Sequence, residues 1–351
     1  MKSQISDLPP ENEKKNKGTK RMIGIEVLRM ILCFRIILLH YYSAKNRYIL
    51  QMKSHQFQVP CFFYISFYFL YPTISEKNTK KIKIRLERLL IPYIIYPILV
   101  WIINNLMFLL IKFNRFNRLL KLKELLLNLI VGKGIFGIGV LWFHFNLLIL
   151  TLIFFISSFF LKHYFLLFFQ ILALISLIIQ YSGINFQFFK KYNRNISMSV
   201  GNIVETFTMA ILAFSLAHIN ICKLFFKNRN KILFFSCFFL YIIFNYNIFS
   251  PLKGFSSAGI KQNIISFFLF NISFLTHFES LNSTLLLLIQ QITKYTQGIY
   301  CLHFLILYYF KLIFHKYGTF TDCIILYIIS YILSFIGFKI FNNTKLKNLF
   351  S

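Results

Sequence analysis

The chain has 351 residues, of which 57% are hydrophobic, and a formal net charge of +29. A soluble domain could not bury that much apolar surface, so the composition excludes a soluble protein and predicts an all-α, polytopic membrane protein. The charge does not indicate nucleic-acid binding, because the Lys and Arg residues lie in short clusters between apolar runs. Such clusters are typical of loops that orient helices and contact anionic membrane lipid.

Ten apolar segments follow one another and predict a single bundle of about ten transmembrane helices. They lie at approximately 23–42, 57–73, 89–111, 140–161, 164–181, 200–220, 231–249, 260–277, 297–315 and 322–341. The expected organisation is a disordered basic tail at 1–21, a membrane domain at 22–345 and a short tail at 346–351.

The basic segment 112–139 interrupts the apolar runs and predicts a helix in the membrane interface, with Leu125–Val131 as its apolar part. Counting Lys and Arg residues in the loops favours a cytoplasmic amino terminus by a narrow margin. That orientation would place segment 112–139 on the other side of the membrane, which the same rule disfavours. The two indications conflict.

The first apolar segment carries Glu26, Arg29, Arg35 and His40, and charges at membrane depth are costly unless they face a bundle interior. Arg29 and His40 lie about 20° apart around a helix, with Glu26 within roughly 60°, so these three share a face. Along the axis Arg29 and His40 are about 16 Å apart and cannot bind the same small group. Arg35 points elsewhere and needs its own partner. A structural salt bridge with a snorkelling Arg35 is the alternative interpretation.

The third predicted helix begins with a second basic motif, in which Arg85 and Arg88 are three residues apart. This spacing turns both guanidinium groups to one side, where they could hold a phosphate. The alternative is an ordinary cluster of cytoplasmic loop charges.

Five short motifs follow one another along the chain in an order that resembles acyltransferase family 3. Members of this family are integral membrane acyltransferases, and many of them O-acetylate cell-surface sugars. The motifs are EVLR at 26–29 with His40 eleven residues after Arg29, VPCFFYIS at 59–66, RLERLLIP at 85–92, LWF at 141–143 and GIYCLH at 298–303. The resemblance extends from about residue 21 to 341. Two positions depart from the family pattern: Glu26 replaces the usual Asp and keeps the charge, and Phe67 replaces a common Gly, which is expected to narrow the site or shift acceptor choice.

The resemblance implies a fold of about ten helices, acyl-CoA as co-substrate and acyl transfer to a hydroxyl. By matching position, His40 would be the catalytic histidine, Arg29 its companion on the first helix, and Glu26 the acidic residue of the catalytic set that precedes Arg29. Arg85 with Arg88 would bind the donor. The residues expected to line the cavity are Ser66, Trp142, Tyr300 and His303. No metal is expected, since the cysteines and histidines show no metal-ligand spacing.

The chemistry of acyl transfer agrees with these residue types. A neutral imidazole can act as general base for a hydroxyl, Arg29 or Tyr300 could stabilise the oxyanion of the thioester carbonyl, and arginines could hold CoA phosphates. The predicted function is therefore transfer of an acyl group, expected to be acetyl, from acyl-CoA to a hydroxyl of a glycan or lipid-linked sugar. A transporter or exporter of a lipid-linked glycan or small molecule is the main alternative, because charged spans around a cavity suit it too. A membrane scaffold ranks third.

Overall fold

The computed structural model describes residues 22–41, 57–111, 121–132, 141–181, 194–219, 228–246, 257–276, 282–314 and 319–350. Within these ranges it has twelve α-helices, two 3-10 helices and no β-strand, which confirms the all-α prediction for this part of the chain. The predicted tail 1–21 and the ends of segment 112–139 lie outside the described residues.

The α-helices are α1 (Ile23–Tyr41), α2 (Gln58–Ser75), α3 (Thr79–Ile111), α4 (Leu122–Val131), α5 (Trp142–Leu161), α6 (Phe165–Tyr181), α7 (Arg194–His218), α8 (Arg229–Tyr246), α9 (Ser257–Leu275), α10 (Ser283–Lys294), α11 (Thr296–Phe314) and α12 (Phe320–Ile340). The 3-10 helices are Lys162–Tyr164 and Lys345–Leu349. A helix occupies each of the ten predicted apolar segments. The two additional ones are α4, within the segment predicted to lie in the membrane interface, and α10, which the sequence analysis did not predict.

Helix α10 escaped prediction because it is short and amphipathic. Its twelve residues are too few to cross a membrane, and they bury Ile289 and Thr293 while Leu287 and Leu288 remain exposed. Its beginning has a local cause, since the side chain of Asn282 accepts a hydrogen bond from the Thr284 backbone N–H at 3.0 Å.

Among the described residues, three helical stretches are long and apolar enough to cross a membrane, with mean hydropathy between 1.8 and 2.1: Thr79–Leu106, Trp142–Ser176 and Phe320–Ile340. Helix α12 also exposes a row of isoleucines, as expected for a surface that faces lipid: Ile324, Ile328, Ile332 and Ile336. Length and composition therefore indicate a membrane protein. The number of crossings and the orientation stay predictions.

Helix α1 lies at the centre of the bundle and contacts α2, α9, α10, α11 and α12. Its Leu32 and Ile37 are fully buried. A Cβ atom at Gly24 would lie only 1.9 Å from the backbone oxygen of Ser273 in α9, so the absence of a side chain allows these two helices to touch. The helix with the most charged apolar segment thus packs against five other helices, which agrees with the cost of exposing such charges to lipid.

The chain continues past α12 into the 3-10 helix Lys345–Leu349, which packs against α3 and α12. Asn348 and Leu349 are buried there. Most of the stretch predicted as a short tail, 346–351, therefore belongs to the packed structure as far as residue 350. The domain boundaries themselves stay a prediction.

Candidate functional site

A cavity of about 620 Å³ lies between α1, α2, α3, α5, α10, α11, α12 and the last 3-10 helix. Six basic side chains line it: Arg29, Lys81, Arg85, Arg88, Lys294 and Lys347. Glu26 is the only carboxylate among the described residues of the lining. A cavity with this excess of positive charge favours an anionic ligand.

Helix α1 contributes Glu26 and Arg29 to the cavity. The Arg29 Nη1 and Glu26 Oε1 atoms are 3.8 Å apart, and the Arg29 side chain keeps a third of its surface exposed. The carboxylate offsets one positive charge within the cluster while the guanidinium remains accessible. Both residues stand on the same face of α1, at the end of the helix nearest the other cations.

Arg85 of α3 is held in place by two neighbouring helices. Its Nη2 donates a hydrogen bond to Ser66 Oγ in α2 at 2.7 Å, and its Nε donates to Thr151 Oγ1 in α5 at 3.3 Å. These bonds use two of the five guanidinium N–H groups, and within the described structure the other three remain for a ligand. Ser66, which was expected to line the cavity, does so and also orients the arginine.

Arg88 stands one turn further along α3 and is exposed at the edge of the cavity. Its backbone carbonyl accepts a hydrogen bond from Gln297 Nε2 at 2.9 Å, which connects α3 to the beginning of α11. Arg85 and Arg88 therefore line one cavity, the first partly buried and the second accessible. Their role in binding a donor stays a prediction.

Aromatic rings form another part of the cavity wall. Phe62, Phe143 and Tyr300 all line the cavity, and the Phe143 and Tyr300 ring centroids are 5.2 Å apart. Tyr300 was expected here. Trp142 was expected as well, but it is not part of the described lining and its ring packs against Phe63 at 5.9 Å. Each residue advances about 100° around a helix, so the neighbour Phe143 takes the position facing the cavity.

His144 also lines the cavity, and the sequence analysis did not select it. It is 2% exposed, its Nε2 lies 3.8 Å from Cys301 Sγ, and its Nδ1 has no hydrogen-bond partner among the described residues. An ionisable residue directly after the LWF motif, in an apolar span, was the signal that could have identified it.

His40 and His303 form a separate pair outside the described lining of the cavity. Their rings stack with centroids 5.9 Å apart and planes inclined by 28°. His303 is buried, and its Nδ1 donates to the backbone oxygen of Ile299 at 3.1 Å. In a neutral ring Nε2 is then the nitrogen that can accept a proton. His303 was predicted to line the cavity with Tyr300, but it lies one helical turn beyond Tyr300 and contacts His40 instead.

A run of ring contacts connects the cavity to His40. The centroid of Tyr300 is 5.8 Å from that of His144 and 5.9 Å from that of His303, which in turn stacks on His40. Arg29 and His40 lie about 16 Å apart along α1, as the helical rise requires. Tyr300 therefore lies between the basic cavity and the histidine pair.

Arg35 and Phe67 take positions that the sequence did not reveal. The Arg35 guanidinium carbon lies 4.3 Å from the ring centroid of Phe57, a cation–π contact outside the cavity lining. Phe67 is fully buried and packs against Phe154 and Phe214. It is not among the described lining residues, so its expected narrowing of the site is not seen in this cavity.

Among the residues that the structure describes, no group of three or more His, Cys, Asp or Glu side chains is close enough to hold a metal ion. The chain matches no curated protein and no solved structure. It does match the family model of acyltransferase family 3, described as an acyltransferase domain, over residues 22–340. That match covers nearly the whole chain and agrees with the motif order and the helical architecture, so the protein belongs to acyltransferase family 3.

Proposed function

We propose that the protein is a membrane-embedded enzyme that transfers an acyl group, expected to be acetyl, from acyl-CoA to a hydroxyl of a glycan or lipid-linked sugar. Membership of the family supports acyl transfer. The observation that carries the choice of donor is the cavity with six basic side chains, from which aromatic and imidazole rings lead to His40.

The basic residues suit the phosphates of CoA. Phosphate oxygens accept short, charge-assisted hydrogen bonds, and arginine can provide two in parallel. Arg85 is oriented beforehand by Ser66 and Thr151, so little side-chain entropy is lost when it binds an anion. Arg88, exposed at the edge of the cavity, would meet the phosphates as they enter.

The aromatic wall suits the remainder of the donor. The pantetheine arm is uncharged, with apolar stretches between its amides, and would extend along Phe62, Phe143 and Tyr300. In this arrangement the phosphates stay with the arginines while the thioester advances past Tyr300 toward His303 and His40. The distance along α1 between Arg29 and His40, about 16 Å, separates the charged end of the donor from its reacting end.

In the proposed reaction His40 acts first as a general base and then as a general acid. The acceptor hydroxyl gives its proton to the neutral imidazole of His40 as its oxygen bonds to the thioester carbonyl carbon. The tetrahedral intermediate collapses, the carbon–sulfur bond breaks, and the CoA thiolate takes the proton from His40. Tyr300 is better placed than Arg29 to stabilise the oxyanion, because its ring contacts His303 whereas Arg29 stands at the far end of α1.

The test uses purified protein in lipid vesicles with radiolabelled acetyl-CoA and a set of glycan and lipid-linked sugar acceptors. We expect label in one acceptor and release of a stoichiometric amount of free CoA thiol. Lys231→Ala is the control, because this exposed lysine of α8 is outside the cavity lining. If folded His40→Ala and Arg85→Ala/Arg88→Ala proteins keep wild-type rates, the mechanism is wrong. Movement of an acceptor across the vesicle membrane without consumption of acyl-CoA would support an exporter instead.

A further inference from the structure

The segment 344–350, which follows α12, is anchored to three helices of the bundle. Thr344 begins it, with its Oγ1 accepting a hydrogen bond from the Leu346 backbone N–H at 3.2 Å. The buried hydroxyl of Tyr96 in α3 donates to the Leu349 carbonyl at 2.8 Å. Lys345 Nζ lies 3.0 Å from Glu87 Oε1, also in α3, but this pair is largely exposed and contributes little to stability.

Two glycines provide the surface on which the segment lies. A Cβ at Gly337 of α12 would fall 2.5 Å from the Phe350 ring, and a Cβ at Gly298 of α11 would fall 2.7 Å from the Phe350 carbonyl oxygen. The Phe350 ring also stacks on Phe341, with centroids 5.9 Å apart. The segment therefore fits closely against α11 and α12. A side chain at Gly298 would meet the Phe350 backbone, and one at Gly337 would displace the Phe350 ring.

This docking brings Lys347 and Asn348 into the lining of the basic cavity. Within the described structure the Lys347 ammonium has no carboxylate partner, since Glu26 pairs with Arg29 and Glu87 pairs with Lys345. Its positive charge therefore adds to that of Arg85 and Arg88, and remains for an anion that enters between them.

We propose that the segment 344–350 forms one wall of the donor site and that Lys347 binds a phosphate group of acyl-CoA. This inference rests on the proposed function, because it names a further residue that recognises the same donor. The donor site is then incomplete without the docked segment. The hydrogen bond from Tyr96 and the two glycine contacts become positioning features for Lys347 and Asn348.

Equilibrium binding of CoA to the full chain in lipid nanodiscs, measured by calorimetry, tests this proposal. Lys347→Ala should raise the Kd about threefold to tenfold, as expected for one accessible charge-assisted hydrogen bond, while Lys347→Arg should stay within about twofold of wild type. The matched control is Lys339→Ala, which removes the same charge from α12 outside the described cavity lining.

Gly337→Ala provides a second measurement that leaves every cavity residue unchanged. It should weaken CoA binding, because the new methyl group displaces the Phe350 ring from α12 and so loosens the end of the segment that holds Lys347. If this variant does not fold, the comparison of Lys347→Ala, Lys347→Arg and Lys339→Ala decides alone. If the wild-type protein binds CoA and Lys347→Ala binds it with the same Kd, the inference about Lys347 is overturned and the proposed function remains intact. Failure of the wild-type protein to bind CoA would overturn both.

Discussion

His40 and His303 stack ring against ring, with centroids 5.9 Å apart, although they belong to the first helix and to one of the last. His303 is buried and held by its bond to the Ile299 carbonyl. His40 is exposed at the opposite end of α1 from Arg29. The buried ring therefore limits the orientations of the exposed one, which is the arrangement expected when a general base must be positioned by a neighbour.

Replacing His40 by Ala should lower kcat by about 10² to 10⁴, because the acceptor hydroxyl loses its base. His303→Ala should lower kcat about tenfold to a hundredfold through misplacement of His40, with little change in KM for acyl-CoA, because His303 is outside the described lining of the basic cavity. Steady-state kinetics separate these effects. His163→Ala, an exposed position between α5 and α6, is the control. A His303→Ala protein with raised KM and normal kcat would contradict a positioning role.

Lysine should replace the two arginines of α3 unequally. Arg85→Lys should raise the Kd for CoA about tenfold or more, because an ammonium cannot bond Ser66, Thr151 and a phosphate in the planar geometry of a guanidinium. Arg88→Lys should stay within about threefold, because this residue is exposed and provides mainly charge. The two variants are controls for each other, since both keep the net charge. An equal rise of the Kd in both variants would show that the hydrogen bonds of Arg85 to Ser66 and Thr151 do not contribute to CoA binding.

His144→Leu should make the protein more stable and less active. The change removes a buried Nδ1 that has no hydrogen-bond partner in the described structure, a group that costs about 1–3 kcal/mol, so thermal unfolding should shift upward by a few degrees. In the tautomer whose Nε2 accepts from the Cys301 thiol, Nδ1 carries the hydrogen. Under the proposed function this N–H donates to a carbonyl of the pantetheine arm, so its loss should lower kcat/KM about tenfold.

Thermal unfolding in detergent and acyl-transfer kinetics, measured on the same preparation, test whether His144→Leu raises stability and lowers kcat/KM together. The matched control is His163→Leu, at an exposed position. A His144→Leu protein that is less stable with unchanged kcat/KM would show that His144 contributes to packing only.

Gly24→Ala should destabilise the protein by about 1–3 kcal/mol, because its methyl group would collide with the backbone oxygen of Ser273, which cannot rotate away. The resulting shift of α1 relative to α9 should also reduce activity, since α1 carries Glu26 and Arg29. Thermal unfolding of the purified protein measures the predicted loss of stability. Ile31→Ala, at an exposed position of the same helix, should have little effect. Unchanged unfolding of Gly24→Ala would contradict the close contact of the two helices.

The sequence by itself was sufficient for what depends on neighbouring residues along the chain. Apolar length predicted the ten helical segments, and helical periodicity placed Glu26 and Arg29 on one face and Arg85 with Arg88 on one side. The order of short motifs indicated the family, and the family model covers the same region. Each of these properties is local or follows the order of the chain, so no contact between distant elements is needed to see it.

The tertiary structure decided which of these faces meet. Only helix packing shows that three lysines from separate parts of the chain, Lys81, Lys294 and Lys347, line one cavity with the arginines. The cation–π contact between Arg35 and Phe57 likewise depends on packing. The rotation of α5 that turns His144 inward and the meeting of His40 with His303 depend on the fit of side chains between helices, which periodicity along one helix does not contain. The basic cavity is therefore a property of the bundle, whereas the motifs that indicated its arginines are properties of single helices.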